Sequence, residues 1–175
     1  MKGFTFIELL LAIVILAILA TTGSAIFLHS LRGTSATELR RTLDDRARLI
    51  LDSMGRFLRE GQITGLAGQT RANCLAGGSV NGDVLSVKAL DGLTTNFSVS
   101  AGMLSSISGQ TVVINPEGVT IAYKAGIGYF FTWYCSGGVP DRIMMQFTAT
   151  STGLGGDTSI NSDYVLDTVS RNSSQ

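Results

Sequence analysis

Histidine is almost missing from this 175-residue chain. His29 stands alone, which excludes His-paired nucleophiles and multi-His metal sites unless other residue types do that work. Proline is nearly as scarce: Pro116 and Pro140 are the only two. Nothing of that kind interrupts the chain before residue 116. Charged residues make up 15%, where a soluble domain carries about 25%. They balance at 13 basic and 13 acidic, so there is no electrostatic reason to expect a nucleic-acid partner. The mean hydropathy of +0.31 is nonetheless high for a soluble protein. The excess oil is either spread through a core or gathered in one segment, and the length allows one domain plus an appendage.

It is gathered. No charged residue lies between Leu9 and Leu31, and Leu9 to Ala20 is apolar without a break (LLLAIVILAILA). About 20 apolar residues match the roughly 30 Å hydrocarbon thickness of a bilayer. A cleaved secretory signal peptide is the plainer alternative, with Lys2 as its basic end and Gly23-Ser24-Ala25 as its cleavage region. Two features fit that badly. The uncharged run is too long, and Glu8 sits inside its start. A carboxylate at membrane depth is costly and demands a partner or a function.

The next segment keeps the helical character but changes its pattern. Leu39, Leu43, Ala47, Ile50, Met54 and Phe57/Leu58 recur at steps of three and four, which places them on one helix face. The other faces carry Arg and Asp, with Arg41–Asp45, Arg48–Asp52 and Arg56–Glu60 as opposite-charge pairs four apart. Such charges serve as a solvated face or as a contact with neighbouring copies of the helix. Gly23 and Gly33 weaken a helix without having to break it. One helix from Phe4 to about Glu60, roughly 85 Å long, is expected. Its first half is oily all round, and its second half packs one face on a globular head.

After Gly61 the texture turns to short β-type runs between Gly, Ser, Asn and Asp. Runs at 84–90, 96–100, 103–107, 111–114, 119–123, 129–135, 143–150 and 164–170 predict an antiparallel sheet with little further helix. Ala101-Gly102 marks a hairpin between two of them. Tyr129-Phe-Phe-Thr-Trp-Tyr134 is apolar on both faces, which predicts a central strand. Ile143, Met145 and Phe147 share the expected core face. Cys74 and Cys135 should pair if the membrane segment sends the head into an oxidising compartment. Two buried free thiols are the alternative. Lys2 ahead of the apolar run supports an inside N-terminus and an outside head.

The chain begins Met1-Lys2-Gly3-Phe4-Thr5-Phe6-Ile7-Glu8-Leu9. This resembles the class III signal of type IV pilins and pseudopilins. The resemblance implies cleavage between Gly3 and Phe4 by prepilin peptidase, N-methylation of Phe4, and a role for Glu8. In the family that glutamate pairs with the N-terminal amine of a neighbouring subunit during assembly, and pairing recovers much of the cost of burying a carboxylate. It implies an α+β fold, in which a long N-terminal helix packs on a C-terminal antiparallel β-sheet head. The corresponding segments are a leader at 1–3, a membrane and filament-core helix at 4–28, an amphipathic stem at 29–61 and a β-rich head at 62–175. It also implies the partners: other pilins in a helical filament, prepilin peptidase, an inner-membrane assembly platform, and the lipid bilayer before assembly. Thr168-Val-Ser-Arg-Asn172 looks like the last strand of many pilin-like proteins, and Leu51–Gly61 is similar to minor pilins of the J or W type. The lack of a proline near the middle of the apolar run, and a cysteine pair that does not bracket the C-terminus, depart from many major pilins.

Other function classes are weaker. The head's carboxylates (Asp83, Asp91, Glu117, Asp141, Asp157, Asp163 and Asp167) have no histidine among the strands to work with, so no enzyme and no cofactor is expected. Asp157 and Asp163 are weak Ca²⁺ candidates in an oxygen-rich loop, where a plain turn is the simpler reading. The head's only cations, Arg71, Lys88, Lys124, Arg142 and Arg171, form no phosphate-tracking stripe. An adhesin-like head and a tip subunit of a secretion or DNA-uptake machine remain as alternatives to a filament subunit. The glycan-acceptor patterns Asn96-Phe-Ser98 and Asn172-Ser-Ser174 are common by chance.

Overall fold

The computed structural model describes residues 6–152 and 159–171, with the backbone alone for residues 25–35. The chain divides into two compact units, Met1–Glu38 and Leu39–Gln175. Helix α1 (Phe6–Glu60) supplies the first unit and the opening of the second.

In the second unit α1 buries Leu43, Ala47, Ile50, Met54 and Leu58, the stripe that the three-and-four spacing picks out. Leu39 is half-buried and Phe57 half-exposed; the Phe57 ring packs edge-on against Phe97 at 5.2 Å. The residue after the helix, Gly61, is glycine for a steric reason. A Cβ there would lie 2.3 Å from Val87 Cγ1 and 2.9 Å from the Phe57 carbonyl oxygen. The last carbonyls of a helix lack partners within it. Here the chain's own C-terminal strand end serves them. The Arg171 amide donates to the Arg59 carbonyl at 3.1 Å, and the buried Ser170 hydroxyl donates to the Gly61 carbonyl at 2.7 Å. Ser170 and Arg171 thereby fasten the end of the sheet to the end of the helix.

Among the described residues ten strands follow, with one short helix. They are β1 (Gln62–Leu66), α2 (Arg71–Gly77), β2 (Ser79–Gly82), β3 (Val84–Lys88), β4 (Thr94–Ser100), β5 (Met103–Ser108), β6 (Gln110–Val113), β7 (Val119–Ala122), β8 (Phe131–Tyr134), β9 (Arg142–Thr152) and β10 (Ser159–Val169). The expected single sheet is in fact two. One has the order β1-β3-β4-β5-β6; the other has β10-β9-β8-β2, with β7 also beside β9. The long β9 explains the second arrangement. Its start pairs with β8 and its end with β7, while β10 runs along its whole length. Side-chain alternation specifies faces, not neighbours, so it did not separate the two sheets.

The inner faces share one core. Leu85, Val87, Phe97 and Leu104 come from one sheet, and Phe131, Trp133, Ile143, Met145, Phe147 and Ala149 from the other. β8 lies inside its sheet, between β9 and β2. Ala101 and Gly102 both take left-handed backbone conformations (φ 50° and 75°), as the tight β4–β5 hairpin demands.

Gly61→Ala should lower stability by about 1–3 kcal/mol through overpacking. Gly77→Ala, with nothing within 4 Å of the added carbon, should leave it nearly unchanged. Urea denaturation of the full chain in detergent would compare the two.

Candidate functional site

The N-terminal unit is the first candidate. Helix α1 opens at Phe6 and has Glu8 in its first turn. Phe6–Ser24 is long and apolar enough to cross a membrane, and all of it is exposed. The polar residues at its far end satisfy themselves. Thr21 Oγ1 donates to the Ala17 and Ile18 carbonyls at 3.0 and 2.9 Å. Thr22 donates to Ile18 at 2.9 Å, and Ser24 to Ala20 at 2.8 Å. Hydroxyls folded back on their own helix leave its surface compatible with hydrocarbon. Lys2, Gly3 and Phe4 lie outside the described residues, as does the side chain of His29.

The second unit holds its chemistry apart rather than together. Cys74 on α2 and Cys135 after β8 form a disulfide, with Cα atoms 5.7 Å apart and no free cysteine left. Beside this bridge, Arg71 Nε donates to both oxygens of the buried Asp141 carboxylate at 3.2 and 3.0 Å. Asp83 binds the loop before β8. It accepts from Tyr123 Oη at 2.8 Å and from the Phe130 amide at 3.1 Å. The Asp83 hydrogen bond holds the Tyr123 phenol above its ordinary pKa.

On the exposed side of β8–β10, Arg142 grips Asp167 with two N–H groups and sits 5.3 Å from the Tyr134 ring centroid. That grip lowers the Asp167 pKa and raises that of Arg142. Tyr164 donates to Asp44 on α1. Burial first, then this bond, pushes its phenol up to about 12.

Of the two calcium candidates, Asp157 lies outside the described residues, and Asp163 accepts from Thr148 Oγ1 at 2.6 Å. Among the described residues no cluster of three or more metal-ligating side chains occurs. Asn96 accepts from Ser86 Oγ at 2.7 Å, and Asn172 lies outside the described residues. An open cleft of about 280 Å³ separates the end of α1 from the β3–β4 turn. It is lined by Arg56, Phe57, Glu60, Gly61, Ala89, Leu90 and Asp91, and none of these is a Ser, Cys or His nucleophile or base. Sequence reasoning did not find the Arg71–Asp141, Asp83–Tyr123 and Tyr164–Asp44 ties. Their partners stand 70, 40 and 120 residues apart, so no local spacing marks them.

The chain's most specific feature is its N-terminus. The family model for the prokaryotic N-terminal methylation motif matches residues 1–24. The match covers the N-terminal segment alone, which carries a prepilin-type methylation signal. A signal of this type implies processing by prepilin peptidase and assembly with other pilins. The α+β architecture, with an apolar N-terminal helix and antiparallel sheets behind it, is pilin-like as well. No curated protein and no solved structure matches the chain.

Two predictions follow the pilin head's own ties. Replacing both Cys74 and Cys135 by Ala should cost about 4 kcal/mol of stability by the loop-entropy relation for a crosslink of this span. Chemical denaturation of the oxidised parent against the double variant measures it. The Tyr164 phenol ionises at about 12 when folded, against about 10 when unfolded. The stability it contributes is complete below pH 10 and is lost as pH rises towards 12. Phenolate absorbance should show a late-titrating tyrosine that disappears in Tyr164→Phe.

Proposed function

We propose that this chain is a structural subunit of a type IV pilus-like filament. It starts as a single-pass inner-membrane protein with a cytoplasmic N-terminus. Cleavage between Gly3 and Phe4, with methylation of Phe4, leaves the apolar helix on the mature chain. An assembly platform then moves it into a helical filament, where α1 lines the interior and the head faces out. The observation that carries this reading is the methylation motif at residues 1–24 on a fully exposed apolar helix. A removable signal would leave only the head; this signal keeps the helix.

Glu8 is the assembly residue in this reading. It lies one helical turn beyond the amine that cleavage would create at Phe4. A neighbour's amine would offset the cost of holding its carboxylate in an apolar setting, and the pair would set the axial step between subunits. Glu8→Ala should insert in the membrane and be cleaved like the parent, yet fail to enter filaments. Immunoblots of membrane and sheared-filament fractions separate these outcomes. Parental levels of Glu8→Ala in the filament fraction would refute the role.

A further inference from the structure

The outermost strand of the first sheet is built unlike the other sheet edges. β6 pairs with β5 on one side, and among the described residues no strand pairs with its other side. All four of its residues are exposed, with Val112 at 57% and Val113 at 50%. Natural edges are usually blunted by charge, proline or a bulge. Gln110-Thr-Val-Val113 has none of these. The opposite edge of the same sheet, β1, has a register irregularity between Ile63 and Gly65. β10, an edge of the second sheet, carries Asp163 and Asp167. Gly82 at the end of β2 lies against Ala67.

The β6 edge is also held firmly. Asn115, just beyond it, accepts from the Leu104 amide at 2.9 Å and donates to the Gly102 and Val119 carbonyls at 2.9 and 3.2 Å. The strand is thus an ordered row of backbone donors and acceptors, flanked by apolar side chains on both faces.

We propose that β6 pairs antiparallel with β6 of a second copy, about a two-fold axis through Val112. The pleat admits only registers centred on a residue, and of these the one at Val112 matches side chains best. A two-fold axis normal to the sheet keeps each face continuous, so each residue must meet one of its own face. Val112 shares its face with Ser106 and Phe97; Thr111 and Val113 share the other. Centring on Val112 sets Val112 against its own mate and Thr111 against Val113. Every one of these pairs is β-branched, the kind that stabilises strand pairing. With no charge on β6, a copy meets no repulsion from itself. This contact goes beyond the filament reading and does not need α1.

Cysteine crosslinking of the full-length chain in detergent tests it. Opposed Cα atoms in an antiparallel pair lie about 4.5–5.5 Å apart, within disulfide range. Under mild oxidation Val112→Cys should give at least ~10-fold more covalent dimer than the exposed control Leu90→Cys. Copies with Thr111→Cys should crosslink to copies with Val113→Cys more than to themselves. Adding Val112→Lys to both sets two like charges opposite each other and should cut that product at least ~5-fold. Placing Val112→Lys on one copy and Val112→Glu on the other should restore it. Equal dimer at positions 112 and 90, no loss with paired lysines, or no rescue by opposite charges would each overturn the proposal. So would a crosslink from position 112 to some other protein but not to its own copy. Association through α1 alone would crosslink 90 and 112 alike, so the filament reading and this one fail separately.

Discussion

One face of one helix closes the head. Leu43, Ala47, Ile50, Met54 and Leu58 are all but completely buried, and both sheets turn their apolar faces to the same core. Removing that face would open Phe97, Leu104, Met145 and Phe147 to water, each worth about 1.5–3 kcal/mol when buried. Neither five-stranded sheet can bury its inner side by itself. The helix end is fixed accordingly. Gly61 leaves room for Val87, and Ser170 and Arg171 take up the carbonyls of Gly61 and Arg59. First and last elements of the head are thus joined by short, specific bonds. The disulfide and the Arg71–Asp141 pair hold α2 against the β8–β9 region in the same way.

The same helix begins with a segment that has the opposite need. Phe6–Ser24 is wholly exposed, and a segment of nineteen mostly apolar residues cannot stay in water at the usual cost per unit area. Lipid satisfies them, and so do copies of the same segment. Its hydroxyls are already bonded to Ala17, Ile18 and Ala20, so either environment is open to them. Glu8 differs in kind, because a carboxylate favours a setting that offers a cation. In the proposed reading that difference would separate residence in the bilayer from residence among subunits.

Much of this was legible in the chain because the signals were local. The stem helix shows a three-and-four period over twenty residues with no proline. The β4–β5 hairpin shows Ala101-Gly102 between alternating runs, and both residues do take positive φ. Elements with weak periodicity were missed. β1 (QITGL) and β2 (SVNG) are short and glycine-bearing, and α2 (RANCLAG) buries only Cys74. The division into two sheets was invisible because β9 chooses partners by tertiary position; β7 and β8 share one of its sides. The N-terminal signal was legible because it is a contiguous string at a fixed place. The ties made by Asp83, Asp141 and Asp44 were not, since each reaches a partner far along the chain. For 168–172 the pattern was visible, but the bonds of Ser170 and Arg171 to the helix end were not, because they reach residues 109 or more positions away.

Zero net charge conceals a segregation that bears on how copies meet. On α1 the exposed residues Arg40, Arg41, Arg48, Arg56 and Arg59 are interleaved with Asp45 and Asp52. On the sheet that ends in β6, the rows Ser86–Asn96–Ile107–Thr111 and Ser98–Ser105–Val113 carry no charge at all. Contacts through the helix face are Coulombic and are screened over about 8 Å at physiological salt. Contacts through β6 rest on backbone hydrogen bonds and β-branched packing, which salt does not screen. Salt therefore weakens any contact made through the stem charges and leaves the proposed β6 pairing unscreened. A chain balanced residue by residue could not divide the two kinds of contact. This one can, because seven of its ten arginines lie on one helix and none lies on β6.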